Sequence, residues 1–518
     1  MAQAVDDEVQ AMLMSESPHS RMVGGTEYSW CKAVSGGTGT TALAAMFKSD
    51  AVSPIFLQTA LDKLQVTHPR LRSRLIWIHG RPALSVSPIP ISKLQVLPAD
   101  EFISSSAQEL GILDEENSHV ESDEDNDNDN RGAWLKLVER ELNINSQWKE
   151  QSHSLEPQPM IALTLYVGVS SAGDCDSRPF SCSLLVLRLH TAICDRASAA
   201  TIFTELMQIL GKLRANDDFT VKGEFQDEVH TLGEKQGHSE EEPITSLVAI
   251  EDAIPKGQAD KPFWAHGLDI LGYSLGSRRH ATLPFQNVEQ SERHSEIICK
   301  KLGPEDTQKL LKECKAQGTS RLGAVTAAVL KATAILKELG ARSEHHAVVT
   351  LLDCRHRLEP AVSKSAVGFY HSALLNTHLV QGEEVQFWEL ARRCSEAVEN
   401  AVKRRKHFTD MGDVGLLMCQ AIQMPQLTPW GSLRTSTLVV FEETVEDDDG
   451  ARDMRQSVGL IDYVGCSSVH GVGPSIAVFD TIRQGALHCT CVYPSPLHSR
   501  SQMNRLLGIM KSILVNMT

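Results

Sequence analysis

Six short apolar runs, separated by stretches of helical period, restrict what this chain can fold into more than any other feature. Residues 161–168 (IALTLYVG), 183–189 (SLLVLRL), 347–352 (AVVTLL), 437–441 (TLVVF), 475–482 (SIAVFDTI) and 486–493 (ALHCTCVY) have the length and composition of strands. The last two are joined by Arg-Gln-Gly, a hairpin turn. Between the runs, apolar residues recur at helical spacing. Leu57, Leu61 and Leu64 precede the stop at His68-Pro69, and Ile202, Phe203, Leu206, Ile209, Leu210 and Leu213 form a second stripe. A third begins at the Thr319-Ser320 cap, runs through Leu322, Val325, Val329, Ala332 and Leu336, and stops at Gly340. Met503, Leu506, Met510 and Ile513 mark the last helix. Strands and helices mixed in both halves predict an α/β (α+β) protein, and 518 residues exceed one ordinary core, so two lobes are expected.

Two polar segments interrupt this pattern. Residues 114–131 (DEENSHVESDEDNDNDNR) are nearly all acidic or amide and read as a solvated, disordered loop. Residues 215–262 read as a long polar linker. The expected organisation is a disordered tail over 1–22, a first lobe over 23–214, the linker, and a second lobe over 263–518. The formal charge of −16 argues against nonspecific nucleic-acid binding and against a basic membrane-surface patch. The N-terminus carries acids where a signal peptide needs a basic region, and no stretch reaches the roughly 18 apolar residues of a membrane span. The twelve cysteines are scattered without metal-ligand spacing, so reduced thiols, no metal and a cytoplasmic location are expected.

Four blocks carry a resemblance. LQTALDKLQVTHPRLRSRLIW (57–77) holds a helix leading into His68-Pro69 and Leu71-Arg72, and HTAICDRAS (190–198) resembles an HHxxxDG loop. LLDCRHRLEP (351–360) precedes VGFYHSALLN (367–376), and HCTCVYPSPLHSRSQMNRLLGIMKSIL (488–514) closes the chain. In this order the blocks resemble the superfamily of CoA-dependent acyltransferases that includes chloramphenicol acetyltransferase, alcohol O-acetyltransferases and condensation domains. In detail they look like the alcohol-acetyltransferase-like branch found in plants. The resemblance implies two chloramphenicol-acetyltransferase-like lobes around a central tunnel. It also implies an acyl-CoA co-substrate, a small alcohol or amine acceptor and no tightly bound cofactor. A lobed fold of this size is expected to be a monomer.

In that family the second His of HHxxxDG takes the acceptor's proton, and the Asp is held by an Arg. Alignment on Asp195 puts His190 at the first His, Thr191 at the catalytic position and Arg196 at the glycine, with Arg355 as the partner of Asp195. A threonine hydroxyl has no useful basicity near neutral pH, and a general base is typically worth about 10²–10⁴ in rate. Three readings follow: His190 turns inward as the base; a histidine of the facing lobe, His371 or His470, replaces it; or the tunnel only binds. Ser436 and Thr435 are the candidates near an oxyanion. VGGTEYSWCKAV (23–34) resembles the opening strand of the branch, with Trp30 and Tyr28 as pocket candidates, and GGTGTT (36–41) reads as a flexible turn. A carrier-protein-dependent condensation domain ranks last, because no carrier segment shares the chain.

Overall fold

The computed structural model describes residues 20–49, 51–78, 80–102, 132–149, 158–171, 180–215, 248–277, 279–289, 292–382, 386–442 and 455–517. The acidic run 114–131, and residues 1–19 of the tail, lie outside them. Strand β1 (Ser20–Met22) leads into helix α1 (Gly25–Ser35), then β2 (Thr38–Lys48), α2 (Pro54–Thr67), β3 (Ser73–Ile78), β4 (Arg81–Val86) and β5 (Leu94–Pro98). After α3 (Gly132–Leu142) come β6 (Ile161–Ser171), β7 (Phe180–His190) and α4 (Arg196–Ala215). Helix α5 (Phe263–Ser277) precedes β8 (His294–Leu302), α6 (Pro304–Ala316), α7 (Arg321–Leu336), β9 (Ser343–Asp353), β10 (His371–Gln381) and α8 (Phe387–Lys403). The chain ends with α9 (Met411–Gln423), β11 (Arg434–Glu442), β12 (Leu460–Val469), β13 (Gly473–Arg483), β14 (Ala486–Ser495) and α10 (Arg500–Asn516).

Two large sheets organise the lobes. The first has the order β12-β2-β7-β6-β5, and the second the order β10-β9-β11-β13-β14-β8. A small antiparallel sheet, β1-β4-β3, flanks the first. Strand β12 belongs by sequence to the second half, yet pairs antiparallel with β2, from Leu460 opposite Phe47 to Val469 opposite Thr38. The expected division at residue 262 is therefore bridged by one exchanged strand.

Period-two alternation assigns the faces of β2 and β7. Ala45, Phe47, Leu185, Leu187 and Leu189 pack with Leu57, Leu61, Leu64, Ile202 and Leu206 of α2 and α4. Ala42, Ala44, Met46, Leu184 and Val186 face the other way, into a core shared with Val439, Val464, Ala477, Phe479 and Val492. That shared core welds the lobes. The second sheet's remaining face is covered by α7, which is buried along most of its length, together with α8 and α10.

Two local expectations fail. Residues 25–35 form a helix, not an opening strand: Gly24 N donates to Glu27 Oε2 at 2.9 Å in a cap, and Glu27, Cys31 and Val34 are buried at helical spacing. Thr38 to Thr41 belong to central strand β2, not a flexible turn; only Gly36 and Gly37 turn the chain. Within the expected linker, Arg70 Nη2 donates to Val248 O at 2.8 Å and Ile250 is fully buried with Cys354, Leu358 and Tyr370, so residues 248–254 pack against both lobes.

Candidate active site

A cavity of about 310 Å³ lies where the two sheets meet. Its wall draws Gly39 and Thr41 from β2, Thr191 and Asp195 from the loop after β7, His371 from β10, and Ser436 from β11. Most of the remaining lining is apolar, including Trp30, Phe369, Phe441 and Phe479. Tyr28 is not part of it.

His190 is the last residue of β7 and is not among the residues that line the cavity. It is fully buried, its Nδ1 accepts from Ala192 N at 3.1 Å, and Trp148 meets it edge-on at 5.3 Å. Burial pushes its pKa down to about 3. A ring so enclosed cannot reach an acceptor, which corrects the expectation that His190 serves as the base. Thr191 occupies the cavity wall instead. Its hydroxyl donates to Gly39 O, and Thr41 Oγ1 lies 3.5 Å away.

Asp195 and Arg355 meet as expected, with Arg355 Nη2 donating to Asp195 Oδ1 at 2.9 Å, both fully buried. The carboxylate also accepts from Ser198 N at 2.8 Å, capping α4, and from Tyr370 N at 2.8 Å. Ser198 Oγ accepts from Arg355 Nη2 and Gly368 N and donates to Gly368 O, at 2.8 to 2.9 Å. Burial pushes the Asp195 carboxyl up, but the His371 ring when charged, the Arg355 guanidinium and these donors outweigh it and hold the pKa below its ordinary value of 3.8. The clamp thus ties the first lobe's helix α4 to the β9–β10 connection of the second.

The clamp also delivers a histidine. Because Tyr370 N is fixed on Asp195, the next residue, His371, begins β10 at the cavity wall. Its ring is buried, and Nδ1 has no hydrogen-bond partner. Burial lowers its pKa, Asp195 and Asp353 oppose that shift, and Arg355 and Arg196 add to it. At neutral pH the imidazole is therefore neutral, as a base must be. His470, the other candidate, stays outside the cavity: its Nδ1 bonds Ser295 Oγ at 3.0 Å, and its ring packs on Gly37.

Arg196 does not plug the site. It reaches across the wall, donating from Nη1 to Gly465 O at 2.9 Å and from Nη2 to Thr481 Oγ1 at 3.3 Å, with its guanidinium 5.4 Å from the Phe479 ring centre. Ser436 lines the cavity with a buried hydroxyl that lacks a partner, and Thr435 lies beside it. Sequence reasoning missed Arg434. This buried cavity-wall arginine donates to the carbonyls of Ser432, Val469, Gly471 and Pro474, and burial pushes its pKa down to about 9. No acidic partner announced it in the sequence. Three carboxylates, Asp269, Asp410 and Asp413, also converge within 4.8 Å of one another, but the Lys261 ammonium sits among them at 2.6 to 3.0 Å.

Two lobes joined by an exchanged strand, with a clamped Asp loop opening on an interlobe cavity, define a two-lobed mixed α/β fold. The chain shares its two-lobed fold with solved acetyltransferase and condensation-type structures. Residues 298–425 match the family described as phthiocerol/phthiodiolone dimycocerosyl transferase C-terminus. Trichothecene 15-O-acetyltransferase TRI3 from Fusarium sporotrichioides is similar with a TM-score of 0.62 and 11% identity, over 96% of this chain and 95% of that one. The cyclization-docking bidomain of EpoB from Sorangium cellulosum gives 0.59 and 11%, over 96% and 85%. Polyketide synthase associated protein 5 from Mycobacterium tuberculosis gives 0.54 and 15%, over 96% and 97%. No curated protein sequence matches the chain.

Proposed function

We propose that this protein transfers an acyl group from a thioester, nominally acyl-CoA, to a hydroxyl or amine held in the interlobe cavity, with His371 as general base. The observation that carries the reading is a neutral imidazole on the cavity wall, next in sequence to the residue that Asp195 anchors. His371 takes the proton from the acceptor as its oxygen or nitrogen bonds to the thioester carbonyl carbon. The tetrahedral oxyanion then collapses, the C–S bond breaks, and the leaving thiolate recovers that proton from the imidazolium. Ser436, whose buried hydroxyl has no partner, is the oxyanion donor in this scheme.

The test is thiol release from short- and medium-chain acyl-CoA across a panel of alcohols and amines. His371→Ala is expected to lower kcat/KM by at least about 10²-fold with an unchanged circular-dichroism spectrum. A His371→Ala rate equal to wild type removes His371 from the mechanism. A tunnel that only binds is the second reading, and Thr191 favours it, because a hydroxyl bonded to Gly39 O stands at the family's base position. Ligand-dependent thermal stabilisation without any product identifies that case.

A further inference from the structure

Helix α5 is inside out. Trp264, Leu268, Leu271 and Leu275 follow one another at helical spacing and are 67%, 59%, 54% and 53% exposed. Gly267 and Gly272 complete that outward face apart from the neutral Ser274, and no charged side chain stands on it. The helix turns its polar residues inward. His266 Nδ1 lies 2.8 Å from Asp413 Oδ1, Tyr273 Oη donates to Asp410 Oδ2 at 2.5 Å, and Asp269 meets Lys261 at 2.6 Å. This orientation is therefore fixed by polar contacts to Lys261 and to the buried Asp410 and Asp413 at the start of α9.

The helix borders the cavity. Tyr273, Ser274 and Ser277 of α5 line the cavity, and so do Leu427 and Pro429, next to Trp430, which is 82% exposed. A basic run adjoins it: Lys403, Arg404 and Arg405 are exposed, and Lys406 Nζ reaches Tyr273 Oη at 3.5 Å. This cluster stands against the expectation, drawn from the total charge of −16, that the chain carries no basic membrane-surface patch.

We propose that α5, Trp430 and the basic run 403–406 dock on an anionic lipid bilayer, turning this side of the cavity toward the membrane. An exposed apolar stripe with tryptophans beside lysines and arginines is the chemistry that partitions into a headgroup boundary. A second copy of the chain suits the face less well. A symmetric contact between two copies would bring two basic runs 403–406 into one interface, whereas an anionic surface neutralises them. Such docking would let a lipophilic substrate enter the apolar cavity without crossing water.

The test is sedimentation of the full chain with phosphatidylcholine vesicles, and with vesicles that also contain phosphatidylserine. Stronger binding to the second is expected. Leu268→Glu with Leu271→Glu should abolish binding to both, and Arg404→Glu with Arg405→Glu should weaken binding to the anionic vesicles by at least roughly 30-fold. All four residues are exposed, so an unchanged thermal transition should accompany both variants. The proposal is overturned if the chain sediments with neither vesicle. It is equally overturned if light scattering shows a dimer that the leucine substitutions dissolve while vesicle binding is absent. Either failure leaves the acyl-transfer reading standing, because none of these residues takes part in it.

Discussion

Replacing Arg355 by methionine should strand the Asp195 carboxylate in a dry interior. The wild-type guanidinium donates to Asp195, Ser198, Asp353 and Ala366 O, and the variant leaves Asp195 only two backbone N–H groups, from Ser198 and Tyr370. Breaking a buried pair by removing one partner typically costs about 3–5 kcal/mol, mostly from the uncompensated charge. For a cooperative unit the size of one lobe, about 2–4 °C per kcal/mol gives a fall of roughly 6–20 °C in Tm. Removing both charges, in Asp195→Asn with Arg355→Met, leaves nothing stranded. The double variant should therefore cost no more than either single one, a coupling of about 3 kcal/mol or more. The pH dependence follows with its sign. Because the folded pKa of Asp195 is depressed, its stabilisation is present above pH 3.8 and is lost as pH falls through the lower folded value. In Arg355→Met, burial instead raises that pKa, so the variant's deficit should shrink as acid protonates the carboxyl. Thermal scans of the four proteins across pH test this. Single-variant costs that simply add to within about 0.5 kcal/mol would refute a stranded charge as the cause.

Two further outcomes follow from the same geometry. Gly37 has φ of +99°, and a Cβ there would lie 2.2 Å from His470 Nε2, so Gly37→Ala should cost about 2–5 kcal/mol in denaturant melts. Adding His470→Ala should recover the steric part and leave the backbone part. For catalysis, kcat/KM should stay level down to below pH 6.5 and then fall as His371 protonates, because burial depresses its pKa. Asp195→Asn removes a charge that raises that pKa, so the acid limb should move to still lower pH; a limb that moves upward would place the titrating group elsewhere.

The elements were legible where periodicity was strong. The helical stripes at 57–64, 202–213, 322–336 and 503–513 are the helices α2, α4, α7 and α10, and the six apolar runs are strands of the two sheets. Arg-Gln-Gly turns the β13–β14 hairpin, with Gln484 and Gly485 at positive φ. Where a segment's pattern is weak, its tertiary partners decided. Glu27 is buried against Arg21 and Arg70 and makes 25–35 a helix, while pairing with β7 and β12 makes 38–48 a central strand.

The sequence carried the pairing of Asp195 with Arg355 as an implication of the family resemblance, and it left His190 open as one of three readings. It did not determine which imidazole reaches the cavity. His371 and His470 have similar local surroundings in the chain, and only the folding of β10 onto the clamped loop separates the one that lines the cleft from the one that packs on Gly37. The outward turn of α5 was likewise beyond reading. A helical stripe says that one face is apolar, but only the long-range bonds to Asp410 and Asp413 say which face the protein covers.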